Sequence, residues 1–166
     1  MKIVYLHGLE SNNLGPKNDW LKSNYDIFDP YVDYHESNIY QNLKSKISVF
    51  EPDLIIGSSM GGYFAHEIAK ELNVNAILFN PALHSRSFEP DINGHSKGKY
   101  KPKIYLVLGE NDIVINPLST IDFIKKEGNI NYTYALLSHE HGTSFELFKK
   151  EIIFFIEQNL NVTPKL

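Results

Sequence analysis

The chain has 166 residues and a mass of 19.1 kDa, with 42% hydrophobic and 22% charged side chains, the make-up of a globular domain and not of a disordered chain. Sixteen Lys and Arg against 20 Asp and Glu give 16 − 20 = −4, which leaves no basic footprint for nucleic acid. The absence of cysteine excludes disulfides, thiolate metal sites, iron–sulfur clusters and cysteine nucleophiles. No apolar run reaches the ~18–20 residues of a membrane-spanning helix, and Met1–Leu6 is too short for a signal-peptide core. The expectation is one cytoplasmic domain over residues 1–166.

Taken in chain order, short apolar runs alternate with stretches of helical period. Lys2–Leu6 reads as a strand ending in His7-Gly8. Tyr25–Val32 is a weaker run, broken by Pro30. Ile39, Leu43, Ile47 and Phe50 share a helix face, and Leu54–Ile56 is a strand ending in Gly57. Phe64, Ala65, Ile68, Ala69 and Leu72 form the next helical stripe, and Ala76–Phe79 is a strand ending in Asn80-Pro81. Residues 85–102, rich in Ser, Gly, Pro and Lys, predict an irregular loop or small lid. Ile104–Leu108 is a strand ending in Gly109. Pro117 suits the first position of a helix carrying Leu118, Ile121 and Ile124. Tyr132–Leu137 is a strand, and Phe145, Phe148, Ile152, Phe155 and Ile156 mark the last helix.

This alternation predicts an α/β fold: a mostly parallel sheet of about six strands with helices on both faces. Right-handed crossovers then bring the carboxyl ends of the strands to one edge, where ligands of such sheets bind. Residues just after the strands are therefore the candidates for chemistry.

Gly57-Ser58-Ser59-Met60-Gly61 matches G-x-S-x-G and lies between a strand and a helical stripe, the setting of a nucleophile elbow. A sharp turn there lifts the hydroxyl of Ser59 above the sheet, while Gly57 and Gly61 leave room for close backbone. Ser58 stands one residue too early. The alternatives are a Gly/Ser turn without chemistry or a phosphate-binding turn; neither G-x-x-x-x-G-K-[ST] nor G-x-G-x-x-G is present.

A serine hydroxyl needs a general base, and the base an orienting acid. Asp112 follows the Ile104–Leu108 strand, with Glu110 as the rival acid. His141 and His139 follow the Tyr132–Leu137 strand, and His141, next to Gly142 and just before the last helix, is preferred. The order Ser, Asp, His fits. His139-Glu140-His141 offers no metal spacing, so neither metal nor cofactor is expected. The N–H groups of Met60, after the nucleophile, and of Leu9, after the first strand, are the candidate oxyanion donors. His7 reads as a loop-shaping residue, and His35, His66, His84 and His95 as exposed or ordinarily hydrogen-bonded. Leu83, His84 and Ile113, with the 85–102 loop, are expected to wall the substrate pocket. Arg86, Lys97, Lys99 and Lys101 in that loop suggest either attraction for an acidic leaving group or, more plainly, a solvated basic loop.

Four stretches resemble the α/β-hydrolase superfamily and, within it, the small YqiA-like bacterial esterases: residues 3–11 (Ile-Val-Tyr-Leu-His-Gly-Leu-Glu-Ser), residues 56–65 around the doubled Ser and Gly, Phe79-Asn80-Pro81-Ala82, and the positions of Asp112 and His141. Leu9 departs from the aromatic common in such openings, and His139-Glu140-His141 is unusual. The resemblance implies a truncated α/β-hydrolase fold without a large cap domain and a serine hydrolase acting on a small carboxylic ester or acyl thioester. Silent binding on the same fold and acyl transfer to an acceptor other than water are the alternatives.

Overall fold

The computed structural model describes residues 1–96, 98, 100–128 and 131–160. Six strands form one all-parallel sheet: β1 (Lys2–Leu6), β2 (Asp26–Phe28), β3 (Leu54–Ser58), β4 (Asn75–Phe79), β5 (Ile104–Gly109) and β6 (Tyr132–Leu137), in the order β2-β1-β3-β4-β5-β6. The helices are α1 (Pro16–Asn24), α2 (Ile39–Phe50), α3 (Met60–Leu72), α4 (Pro117–Glu127) and α5 (Phe145–Asn159).

Alternation along the strands sends side chains to two cores. Val4, Leu6, Ile55, Leu78 and Leu106 meet α2, α3 and α4 on one face. Ile3, Tyr5, Ile56, Ile77 and Val107 meet α1 and α5 on the other. Near-continuous burial of β3, β4 and β5 follows from cover on both faces. Phe148 of α5 sits at the centre of the second core, 4.9 Å from the ring of Phe79 and 5.3 Å from that of Tyr5.

Local chemistry sets the helix ends. Asn116 caps α4 by accepting from Ser119 N–H, with Pro117 in the first turn, and Ser144 caps α5 by accepting from Leu147 N–H. Helix α3 ends at Asn73, which takes the left-handed conformation common at such termini.

Two elements differ from the sequence expectation. The run Tyr25–Val32 yields only the three-residue edge strand β2, because Pro30 ends its pairing with β1. Helix α1 had no predicted stripe: it buries just Asn18 and Leu21, too little to show a period. Residues 85–102 contain no helix or strand among the described residues, and Lys97 and Lys99 lie outside them. No helix among the described residues is long and apolar enough to cross a membrane.

Strands β1 and β3 are neighbours, yet the chain leaves them toward opposite sides of the sheet, β1 leading to β2 and β3 to β4. This reversal of strand order opens a crevice at their carboxyl ends.

Candidate active site

Ser59 stands at that crevice, between β3 and α3. Its backbone lies at φ 53° and ψ −116°, a sparsely populated region that costs about 1–3 kcal/mol unless neighbours hold it. They do. Its N–H donates to Phe79 O at 3.0 Å, and its carbonyl accepts from Tyr63 N–H at 3.1 Å and Ala82 N–H at 3.0 Å. A Cβ at Gly57 would strike the Gly61 carbonyl, and one at Gly61 the carbonyls of Leu6 and His7, so the tight turn admits no side chain at either place.

The structure brings together the three side chains that the sequence singled out. The Ser59 hydroxyl donates to His141 Nε2 at 3.0 Å, and His141 Nδ1 donates to Asp112 Oδ2 at 2.8 Å. The other oxygen of Asp112 accepts from the N–H groups of Val114 (2.8 Å) and Ile115 (2.9 Å). The Asp112 carboxylate is sealed from solvent, while the His141 ring is 27% exposed and reaches the cavity. The rivals are not part of this series, although Ser58 borders the same cavity. His139 turns its Nδ1 to the Glu140 carbonyl, and Glu110 is exposed, its backbone N–H pairing with Leu137 O. Ser58 ends β3.

Ser59 and His141 face a cavity of about 800 Å³. Leu9 and Met60 line it as well, and neither N–H donates to an acceptor among the described residues. Met60 opens α3, so its N–H has no partner within the helix and lies at the positive end of the dipole. His7 shapes the loop behind: Nδ1 donates to Gly8 O at 2.8 Å, Nε2 accepts from Val32 N–H at 3.0 Å, and its carbonyl accepts from the Tyr34 hydroxyl at 2.6 Å. Burial lowers the pKa of the His7 imidazole from its ordinary value, against a smaller opposing effect of the Gly8 bond.

The expected pocket wall needs correction. Leu83 is buried in the core against the α2–α4 helices, the ring of His84 turns to Thr120 Oγ1 at 3.2 Å, and Ile113 is 98% exposed. None of the three lines the cavity; Ala82, Ser85, Val114 and Ile115 do, together with Lys17 and Asn18 from the unpredicted helix α1. Side-chain direction in an irregular loop follows no period, so strand-end proximity pointed to the right segments and the wrong residues. Arg86 does reach the cavity, but its guanidinium is committed to Glu89 Oε2 (3.0 Å), the carbonyls of Ala82 and Leu83, and the face of Tyr63.

A second histidine–carboxylate cluster sits on α3, further along the helix. His66 is fully buried: Nδ1 pairs with Glu67 Oε1 at 2.6 Å, and Nε2 faces Glu127 Oε2 at 3.2 Å, out of line for a hydrogen bond. Lys70 touches both carboxylates, at 3.1 and 3.0 Å, and His95 Nε2 meets Glu67 Oε2 at 2.7 Å. The Glu67 and Glu127 oxygens and His66 lie close enough to hold a metal ion, but the ammonium of Lys70 already supplies a cation between the two acids. Burial alone would lower the His66 pKa, yet the flanking Glu127 and Glu67 reverse it and raise it. Burial also opposes ionisation of Glu67, but His66, Lys70 and His95 together pull it down to about 2. The reading of His66 as exposed or ordinarily hydrogen-bonded therefore gives way to a buried ion cluster.

The fold has solved counterparts. A Xanthomonas campestris protein assigned to the alpha/beta hydrolase superfamily superposes with a TM-score of 0.71 at 14% identity, covering 95% of this chain and 98% of that one. The Pyrococcus furiosus esterase Pf2001 does so at 0.69 and 14%, covering 95% and 82%. FphF, a fluorophosphonate-binding serine hydrolase of Staphylococcus aureus, gives 0.62 and 17%, covering 97% and 84%. At such identities the likeness speaks for the α/β-hydrolase fold. In sequence, the UPF0227 protein YcfP of Escherichia coli is 31% identical over 93 residues, 49% of this chain and 51% of the relative, so the match spans about half the length of the curated relative. The model of the uncharacterised protein family UPF0227 matches residues 2–114, which include Ser59 and Asp112 and stop short of His141. The chain belongs to the UPF0227 family.

Proposed function

We propose that this protein is a serine hydrolase that cleaves small carboxylic esters or acyl thioesters through an acyl-enzyme. The observation that carries the reading is the hydrogen-bonded series from Ser59 through His141 to Asp112, opening into a cavity beside two uncommitted backbone N–H groups. In this mechanism His141 Nε2 takes the Ser59 proton as Oγ attacks the acyl carbonyl. Asp112 holds the ring with Nε2 free to accept and steadies the imidazolium that forms. The N–H groups of Leu9 and Met60 receive the oxyanion; such a donor is worth ~10²–10³ in turnover. His141 then protonates the departing alcohol or thiol, activates water, and the acid leaves. None of these steps calls on a cofactor.

The esterase and serine hydrolase among the structural counterparts support the class of reaction, and the open mixed polar and apolar cavity suits a small acyl substrate. A fluorophosphonate probe is expected to label wild type stoichiometrically, with the adduct on Ser59, and short-chain p-nitrophenyl esters and acyl thioesters are expected to turn over. Equal labelling of Ser59→Ala would remove the serine assignment. Labelling without turnover of any ester or thioester would leave a binding module, and faster product formation with added alcohols or amines would identify an acyltransferase.

A further inference from the structure

The hydroxyl, the ring and the carboxylate of the proposed site hang from three different strands, β3, β6 and β5, and β4 stands between the first and the last of these in the sheet. One side chain at the end of β4 ties these ends together. Asn80 is 2% exposed and adopts φ 42°, a left-handed conformation that asparagine tolerates better than most residues. Its Oδ1 accepts from Gly109 N–H, the last residue of β5, at 2.8 Å. Its Nδ2 donates to the carbonyl of His141 at 2.7 Å and to that of Glu140 at 3.2 Å. Its backbone N–H donates to Val107 O at 3.0 Å, and its neighbours Phe79 and Ala82 grip the backbone of Ser59.

The contact falls on the backbone of His141 itself. Asp112 restrains the ring from Nδ1, and Asn80 restrains the main chain from which the ring projects. The same amide touches Gly109, whose carbonyl accepts from Asp112 N–H at 3.2 Å. A buried amide with its acceptor and both donors used is rigid, since breaking any of the three bonds strands a polar group away from water.

We propose that Asn80 is the positioning residue of this site, setting the distance of His141 from Ser59 by clamping the loop after β6 to the ends of β4 and β5. The inference rests on the hydrolase reading above. It does not make Asn80 catalytic, for it touches neither substrate nor the reacting atoms.

Asn80→Asp tests it with little change of shape. The carboxylate keeps the acceptor for Gly109 but turns an oxygen toward the carbonyls of His141 and Glu140, and when protonated on that oxygen it donates again to one of them. A new carboxylate also acts on the ionisable neighbours on the packed loops (His139, Glu140, His141, Glu110 and Asp112), so full kcat–pH profiles of wild type, Asn80→Asp and Asn80→Ala are compared. At pH 8 the kcat for p-nitrophenyl acetate and the rate of fluorophosphonate labelling are expected to fall by about 10–100-fold, the scale of a small misplacement of a reacting group, with KM within about twofold. The ratio of variant to wild-type kcat is expected to recover as the pH is lowered toward 6. Asn80→Ala is expected to show the loss without the recovery. Thermal unfolding of each variant confirms that assays run on folded protein, and if Asn80→Ala does not fold, Asn80→Asp carries the test alone. A kcat ratio near one at every pH, or a loss that does not change with pH in Asn80→Asp, overturns the inference while wild-type activity stands. Wild type that neither labels nor turns over ester removes the hydrolase reading and this inference with it.

Discussion

Two histidine–carboxylate arrangements adjoin helix α3, one brought to its amino end by the loops after β5 and β6 and one further along the helix, and they are built from the same side-chain types to opposite effect. At the amino end His141 has a carboxylate on one nitrogen and a hydroxyl on the other, and its ring is part-exposed beside a cavity. Further along, His66 has a carboxylate at each nitrogen and no access to solvent. Two flanking acids favour the protonated form of an imidazole and raise its pKa against the effect of burial. An imidazole between an acid and an alcohol can take up a proton and give it back. The partner of the second nitrogen, more than the presence of a His–acid pair, separates the ion cluster from the proposed base.

The sharpest way to break this contrast is at the hydroxyl and the ring. Ser59→Ala and His141→Ala are each expected to lower ester turnover by about 10⁴–10⁶-fold, since such groups act as a unit. Burst and steady-state assays on folded protein check this, and activity that survives either change removes the series as a catalytic device. Asp112→Asn is expected to cost roughly 10³–10⁴-fold, because an amide no longer fixes the tautomer that leaves Nε2 free to accept.

The second cluster answers in stability. Glu67→Gln leaves His66 and Lys70 short of a buried counter-charge, at an expected cost of roughly 3–5 kcal/mol in urea unfolding, with turnover per folded molecule near wild type. A loss of activity without loss of stability would reverse the roles assigned to the two clusters. The same pair shapes the pH dependence. Glu67 is held down to about 2 in the folded protein, so its contribution is complete above the ordinary carboxylate range near 4.5 and disappears as pH falls through about 2. His66 is raised, so its contribution is complete below the ordinary imidazole range near 6.5 and fades as pH rises through the higher folded value. Urea midpoints of wild type are expected to drop more steeply at both ends than those of Glu67→Gln; parallel curves would show that the cluster is not what titrates. The smallest effect expected is that of His139→Ala, whose ring points to the Glu140 carbonyl and away from Ser59, with turnover close to wild type.

Much of this was legible in the sequence because it depends on short-range pattern. Strand-length apolar runs ending in turn residues located the sheet edge, and Gly57-x-Ser59-x-Gly61 marks a turn whose steric demand the backbone confirms. The order Ser59, Asp112, His141 could be read because in a parallel sheet every strand delivers its following residue to one edge. What stayed hidden depends on distant neighbours. Helix α1 shows no stripe because Leu21 is its single buried apolar side chain, yet it supplies Lys17 and Asn18 to the cavity. His66 gives no local sign of its burial, since one of its partners, Glu127, comes from the end of another helix. The directions of Leu83, His84 and Ile113 are set by irregular backbone, which no periodicity describes.

The placement of His141 after the sixth strand has a consequence for biogenesis. The serine and the imidazole that bonds it are 82 positions apart, which at ~5–20 residues per second is about 4–16 s of translation. During that interval the residue whose ring accepts from the Ser59 hydroxyl has not yet been made. On the hydrolase reading proposed above, the series from Ser59 to Asp112 can close only after the segment bearing His141 has been made and has docked.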